Sequence, residues 1–442
     1  MHPKSNGSSD PARSLAELLP RLATGYGTRT RVTPSRLPNG LRILTVTTEG
    51  SPLVSLQIHV AAGSRDNPPG KSGLAHCVEH MMFRHPEIDF DLEAENLGAM
   101  ANAWTMPDAT VYATDCREGV LGRLLELERV RFERPALVPD DLRAELEVIL
   151  EERLQSVDNS PQGRLFETLT QLGFPDHPYG IPVLGVADDI RSLSTADCQS
   201  YLEGMHCPTR MIVVVAGPLA PAMVEELVRD SLGKLPPSPP APRFTAAPSI
   251  PGVTDVHLEL EAELSAVSLL HPLPPADRLE SSRALATAEL LATLLSWGDS
   301  SRLVRRLVRE ERVAYDVSVS VQEQDLGSEL LIESRAVGRS SPLHLRDRIL
   351  QEIGRLAEEP LEPDELERAR VQLTIDTVRS LRTAFGRGDL IGSIALLHDD
   401  LDRGCATREG FLDVTPDEVR DLARRLARRD STVCVTLEAK EK

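Results

Sequence analysis

Between Gly73 and Pro86 the chain runs Gly-Leu-Ala-His76-Cys-Val-Glu79-His80-Met-Met-Phe-Arg-His-Pro. His76 and His80 are four residues apart. On a helix that spacing puts two imidazoles one turn apart on one face. Glu79 lies three residues after His76 and one before His80, so it borders the same face. Two neutral imidazoles and a nearby carboxylate offer a catalytic zinc ion two ligands and a general base. The alternative is a helix with ordinary histidines, but a chance His-x-x-Glu-His is uncommon where histidine is sparse. Ser72 and Gly73 are expected to cap this helix and Pro86 to stop it.

A helix predicted over 140–157 opens at Pro139-Asp140-Asp141. It carries Glu145, Glu147, Glu151 and Glu152. Glu145 and Glu152 are seven apart and share a face, with Val148 and Ile149 read as lying between them. Carboxylates on a partly apolar stripe need a partner, because burying an unpaired charge is costly. A metal is one such partner; a solvated acidic helix face is the other reading of the same spacing.

The elements that would hold these residues can be placed from periodicity. Residues 31–37 and 41–47 read as a hairpin turned by Pro38-Asn39-Gly40. Residues 53–62 alternate as a strand, with His59 structural. Gly63–Gly73 is a loop that delivers the motif helix, and a second helix is expected over Asp89–Leu97. Two strands flank Met106-Pro107-Asp108, at Asn102-Ala-Trp-Thr and Ala109–Thr114, and helices follow at about 119–132 and 140–157. A strand is expected at about 210–216. A proline-dense stretch from Leu235 to Pro251 reads as a semi-rigid linker. Beyond it come strands at about 254–262, 265–272, 314–323, 328–337 and 431–437. Helices are expected at 278–296, 300–311, 343–358, 363–381 and 416–428. The order of elements repeats that of the first half, as expected of a diverged duplication. The second half has no His-x-x-Glu-His, and its His257, His271, His344 and His398 are scattered, so one active site per chain is expected. The predicted division is a tail (1–28), a metal-bearing domain (29–234), a linker (235–252) and a homologous non-catalytic domain (253–442).

At 442 residues the chain is too long for one core. Its net charge of -19 argues against nucleic acid and anionic membrane as partners. Cys77, Cys116, Cys198, Cys207, Cys405 and Cys434 form no Cys-x-x-Cys pair, which suits free thiols in a reducing compartment. Cys77 is expected off the histidine face, as a small core residue. No stretch has the length of a membrane span, and Met1–Gly27 lacks the apolar segment of a secretory signal. The basic residues are mostly Arg, the composition of a GC-rich bacterial genome. Together these give an expected cytoplasmic location.

Gly63-Ser-Arg followed by Gly73-Leu-Ala-His-Cys-Val-Glu-His-Met-Met-Phe resembles the inverted zinc motif of the pitrilysin/insulysin metallopeptidases. The half-length chain is most similar to the mitochondrial-processing-peptidase branch and its bacterial relatives. Leu97-Gly98, Asn102-Ala-Trp-Thr, Thr110-Val-Tyr, Glu145–Glu152, Pro178-Tyr-Gly and Gly185 match downstream of the motif. Ser300-Ser-Arg-Leu, Val313-Ala-Tyr315 and Glu365-Leu-Glu-Arg-Ala-Arg match in the second half.

The resemblance implies an α+β fold of two similar domains, each a mainly antiparallel sheet with helices packed on one face. It implies His76, His80 and Glu152 as ligands of one zinc ion, Glu79 as the base and Glu145 as a supporting carboxylate. An extended peptide substrate would add as a strand beside Asn102, Ala103 and Trp104, and Tyr315 would hold it from the second half. The family's Arg seven residues before that Tyr is Val308 here, with Arg309 adjacent. In the family four such domains close a chamber, so a chain with two is expected to dimerise with a homologous half-length subunit. A heterodimer is favoured over a homodimer. The implied activity is a zinc-dependent endopeptidase acting on unfolded peptides or leader segments. The competing readings are a non-catalytic structural or assembly subunit on the same scaffold, and a zinc amidohydrolase of small molecules.

Overall fold

The computed structural model describes residues 13–22, 30–86, 88–133, 137–276, 279–338, 340–398 and 400–440. Strand β1 (Arg13–Ser14) leads into a one-turn helix, α1 (Leu15–Leu18). Then come β2 (Thr30–Arg36), β3 (Arg42–Thr48) and β4 (Val54–Val60). The β2–β3 hairpin turns at Gly40, whose φ of +93° suits a residue without a Cβ. Helix α2 (Leu74–Met81) is followed by the short pair β5 (Arg84–His85) and β6 (Ile88–Asp89), then α3 (Phe90–Asn96). Strands β7 (Met100–Thr105) and β8 (Thr110–Cys116) precede helices α4 (Leu121–Phe132), α5 (Pro139–Arg153), α6 (Pro161–Gly173), α7 (Ala187–Arg191) and α8 (Thr195–Met205). Strand β9 (Met211–Gly217) and helix α9 (Pro221–Asp230) complete the first half.

The second half holds β10 (Thr254–Glu261), β11 (Ala266–Leu273), α10 (Leu279–Ser296), β12 (Ala314–Gln322) and β13 (Ser328–Ala336). Helices α11 (Pro342–Glu358), α12 (Pro363–Ser380), α13 (Ala384–Leu397), α14 (Leu401–Glu409) and α15 (Pro416–Arg428) lead to β14 (Val433–Lys440). The strand orders are β1-β2-β3-β9-β4-β8-β7 and β10-β14-β11-β13-β12. The five-stranded order of the second sheet repeats β3-β9-β4-β8-β7 of the first, including one parallel pair at the same place. These are two similar α+β domains, each built on a mainly antiparallel sheet.

The two halves exchange helices. Helix α6 lies on the second sheet, where Leu165 and Leu169 share a cluster with Leu270, Leu331, Val433, Val435 and Leu437. Helix α13 lies on the first sheet, against β3, β4 and β9. Strand β4 alternates as expected, and all seven of its residues are buried. Its polar face, Ser55, Gln57 and His59, is covered by α13. Gln57 Nε2 donates to the carbonyl of Phe385 at 2.9 Å, and His59 Nε2 lies 3.0 Å from Gln57 Oε1. Burial pushes the His59 imidazole down to about 4. The approach depends on Gly392, where a Cβ would fall 2.2 Å from His59 Nε2. Overpacking costs about 1–3 kcal/mol, and alanine returns up to about 1 kcal/mol of helix propensity. Gly392→Ala is therefore expected to destabilise the protein by about 1–2 kcal/mol, measured by urea denaturation.

Several expectations need correction. No helix was expected in 382–415, which contains α13 and α14. Helix α13 is apolar on most of its circumference, so it carries no one-sided period. The helix expected over 300–311 is largely a π-helical segment, Val304–Glu310. Residues 13–22, assigned to the tail, join the fold. Arg13 and Ser14 pair with β2, and Leu15, Leu18, Leu19 and Leu22 are buried in the core. Residues 1–12 and 23–29 of that segment lie outside the described residues. The proline-dense stretch lies on the first domain, held by the Arg243–Asp66 ion pair at 3.2 Å and by His177 Nε2 on the carbonyl of Ala246 at 2.9 Å. No helix among the described residues is long and apolar enough to cross a membrane.

Candidate active site

Of the two residues expected to cap helix α2, Gly73 holds the N-cap position, at φ +84° with no side-chain cap, and Ser72 does not. Ser72 serves elsewhere: its hydroxyl donates to Asp189 Oδ2 at 2.6 Å and accepts from the amide of Val186 at 3.0 Å. Asn67 Oδ1 takes the first-turn amide of Ala75 at 2.9 Å instead. The helix ends at Met81, well before Pro86, where the chain turns into β5. Leu74, Ala75, Cys77, Val78 and Met81 anchor it in the core, so the His76–His80 face is the one left toward the cleft. Cys77 is a core residue as expected, its thiol 3.8 Å from that of Cys198. All six cysteines are free and buried.

Helix α5 crosses this face and brings both expected carboxylates to it. Glu152 Oε2 lies 3.8 Å from His76 Nε2 and 3.9 Å from His80 Nε2. The three donor atoms fall within 4.8 Å of one another, the one such group among the described residues. Glu145 Oε2 stands 3.0 Å from His80 Nδ1, while its Oε1 accepts from Arg84 Nε at 2.6 Å. Ile149 is buried between the two glutamates. Val148, three residues after Glu145 and four before Glu152, borders the same face on its solvent side and is half exposed.

These donors fit a zinc ion. Bonds of about 2.1 Å in a tetrahedral site put neighbouring ligand atoms roughly 3.4 Å apart, so a contraction of about half an ångström closes two edges of the set. Burial, reinforced by His80, pushes the His76 imidazole down to about 4, so it is neutral at pH 7 and able to ligate. Glu145 on Nδ1 of His80 selects the tautomer whose Nε2 lone pair faces Glu152, the carboxylate–histidine arrangement of zinc sites.

Glu79 is buried beside this cluster and outside it. Burial raises its carboxyl above the ordinary range, against the Thr105 hydroxyl, which donates to Oε2 at 2.6 Å. Thr105 and Arg84 were not singled out from the sequence. Thr105 closes the Asn-Ala-x-Thr segment, so a signal was there; Arg84 had none.

Among the described residues strand β7 forms the edge of the first sheet, paired only with β8. Ala101, Asn102 and Ala103 line a cleft of about 700 Å³ with Glu79, His80, Phe83, Arg84, Asp141 and Glu145. Trp104 is not among its lining residues and packs on Phe385 of α13, ring centres 6.1 Å apart. Tyr315 stands on β12 of the other sheet, also outside the cleft, with the Arg335 guanidinium 4.9 Å from its ring centre. Val308 packs against the core, and Arg309 is paired with Asp299 at 2.6 Å.

Residues 42–187 match the profile of insulinase (peptidase family M16), and residues 192–373 match that of the M16 inactive domain. The chain belongs to peptidase family M16. The absence of the zinc motif from the second half agrees with the inactive-domain profile there. The M16 relatives include the zinc protease PqqE of Helicobacter pylori, 27% identical over 88% of both chains. The β subunit of the mitochondrial-processing peptidase of Blastocladiella emersonii is 32% identical, over 47% of this chain and 45% of that protein. The M16 fold is shared with a crystallised protease from Helicobacter pylori at a TM-score of 0.87 and 23% identity, covering 92% of this chain and 99% of that one.

Proposed function

We propose that the protein is a zinc-dependent endopeptidase that cleaves unfolded peptides or leader segments bound as an added strand. One observation carries this reading: two imidazole Nε2 atoms and one carboxylate oxygen converge from two helices, with a buried, non-ligating Glu79 alongside. His76, His80 and Glu152 would hold the ion. Zinc bound there supplies a Lewis acid that acidifies water and polarises the scissile carbonyl. Glu79 takes the proton of the attacking water and delivers it to the leaving amine. Thr105 fixes the Glu79 carboxylate, and Glu145 fixes the His80 ring. The free edge of β7 accepts the substrate backbone by strand addition, which demands an extended segment and reads sequence loosely.

The partner in this reading is a second half-length chain of the same fold, and the closed chamber is formed by the pair. Val308, partly buried against the core, supports a heterodimer, because the position that carries Arg in the family is apolar here and Arg309 is engaged by Asp299. The test is cleavage of a fluorogenic unfolded peptide by the zinc-loaded protein, alone and with a homologous subunit that carries the Arg. Cleavage is expected at least about 10³-fold above buffer and is lost on chelation. Zinc binding without cleavage in either mixture would favour the non-catalytic reading.

A further inference from the structure

The residue next to the third ligand carries a contact set that the proposed chemistry does not use. Arg153 ends α5 and is buried, with a relative exposure of 7%. Its Nη1 donates to the carbonyl of Gly185 at 2.5 Å. Its Nη2 reaches Glu167 at 3.0 Å and Asp158 at 3.1 Å. Each acceptor belongs to a different structure. Asp158 closes the π-helical turn Leu154–Asp158 that follows α5 directly. Gly185, at φ +81°, is pressed on the start of α2: a Cβ there would meet the Gly73 nitrogen and the Ser72 carbonyl at 2.5 Å. Glu167 lies on α6, the helix that covers the second sheet, and Gly173 of α6 approaches Leu270 of that sheet so closely that a Cβ would fall 2.5 Å from its side chain.

From this geometry we infer that Arg153 is a positioning residue for the metal site, and that through it the second domain sets the place of Glu152. The inference rests on the zinc reading above. Glu152 is half exposed, and among the described residues its side chain is ion-paired only with the two histidines. Its backbone is set by the next residue. A planar guanidinium can hold three acceptors in a fixed fork, which an ammonium cannot. It ties the end of α5 to the start of α2, and so holds the carboxylate in register with the imidazoles. The same fork ties α5 to α6, and α6 moves with the second sheet because its apolar face is buried there. The non-catalytic half thereby takes part in metal binding although it offers no ligand.

The test is zinc affinity by competition with a chromophoric chelator, together with the visible absorption of Co²⁺ bound in place of zinc. Wild type, Arg153→Ala, Arg153→Lys and Glu167→Ala are compared in the full chain. Outer contacts of metal ligands commonly contribute 10- to 100-fold in affinity. Arg153→Ala is expected to weaken zinc binding at least about 10-fold and to change the Co²⁺ spectrum. Arg153→Lys should recover part of that loss, and Glu167→Ala should lose about threefold or more. The Co²⁺ spectrum separates a displaced ligand from general loosening, which would leave the coordination of the folded fraction unchanged. If Arg153→Ala fails to fold, Glu167→Ala, which deletes only the link to α6, decides the matter. Affinities within twofold of wild type and an unchanged Co²⁺ spectrum in the folded variants would overturn the inference. A wild-type chain that binds no zinc would overturn the zinc reading instead.

Discussion

Glu79→Gln is expected to lower kcat/KM for a peptide substrate by about 10²- to 10⁴-fold, the range for loss of a general base, while zinc content stays at the wild-type level. The amide keeps the size and one acceptor oxygen of the carboxylate, so the Thr105 hydroxyl still has a partner and α2 keeps its seat. Glu79 is not one of the three converging donors, so ligation does not depend on it. What the substitution removes is a group able to take a proton. Since burial raises the carboxyl while Thr105 and His80 favour its charged form, the neutral isostere adds no unpaired charge to the site. Peptide kinetics and elemental analysis on the same preparation check the expectation. Wild-type cleavage by the variant would remove Glu79 from the mechanism.

The second large effect is expected at Glu152. Glu152→Ala should weaken zinc binding by more than about 100-fold, beyond the usual cost of losing an outer contact, and peptide cleavage should vanish with the metal. The fold should not suffer, because the Glu152 side chain is 43% exposed and its neighbours in the site are the two imidazoles. The far-ultraviolet circular dichroism and the melting temperature of the metal-free protein are therefore expected to match wild type. Unchanged zinc stoichiometry in this variant would mean that another group completes the site.

Much of the candidate site was legible because it depends on short-range spacing. The four-residue step from His76 to His80 and the seven-residue step from Glu145 to Glu152 each survive in the folded chain, since a helix converts sequence distance into direction. The same rule puts Val148 and Ile149 beside both glutamates, and only the packing decides that Ile149 is buried and Val148 half exposed. What spacing could not show is which helix ends are held by what. Ser72 looked like a cap, yet its hydroxyl is taken by Asp189, more than a hundred residues away in sequence. Thr105 reaches Glu79 only because β7 passes beside α2. Leu15, Leu18, Leu19 and Leu22 lie in the segment assigned to the tail, yet they are buried in a cluster that includes residues of both halves.

The sequence by itself determined the local chemistry: two histidines and a glutamate on one turn of helix, two carboxylates on a second, and two runs of elements in the same order. Each follows from residue type and a repeat of a few positions. Only the tertiary structure decided how the halves depend on one another. Helix α6 lies on the second sheet and α13 on the first, and Arg153 joins the ligand helix to both neighbours. No local pattern encodes that exchange. A helix covered on most sides loses the one-sided period that sequence reading relies on, and a buried guanidinium finds its acceptors only after the chain has closed around it.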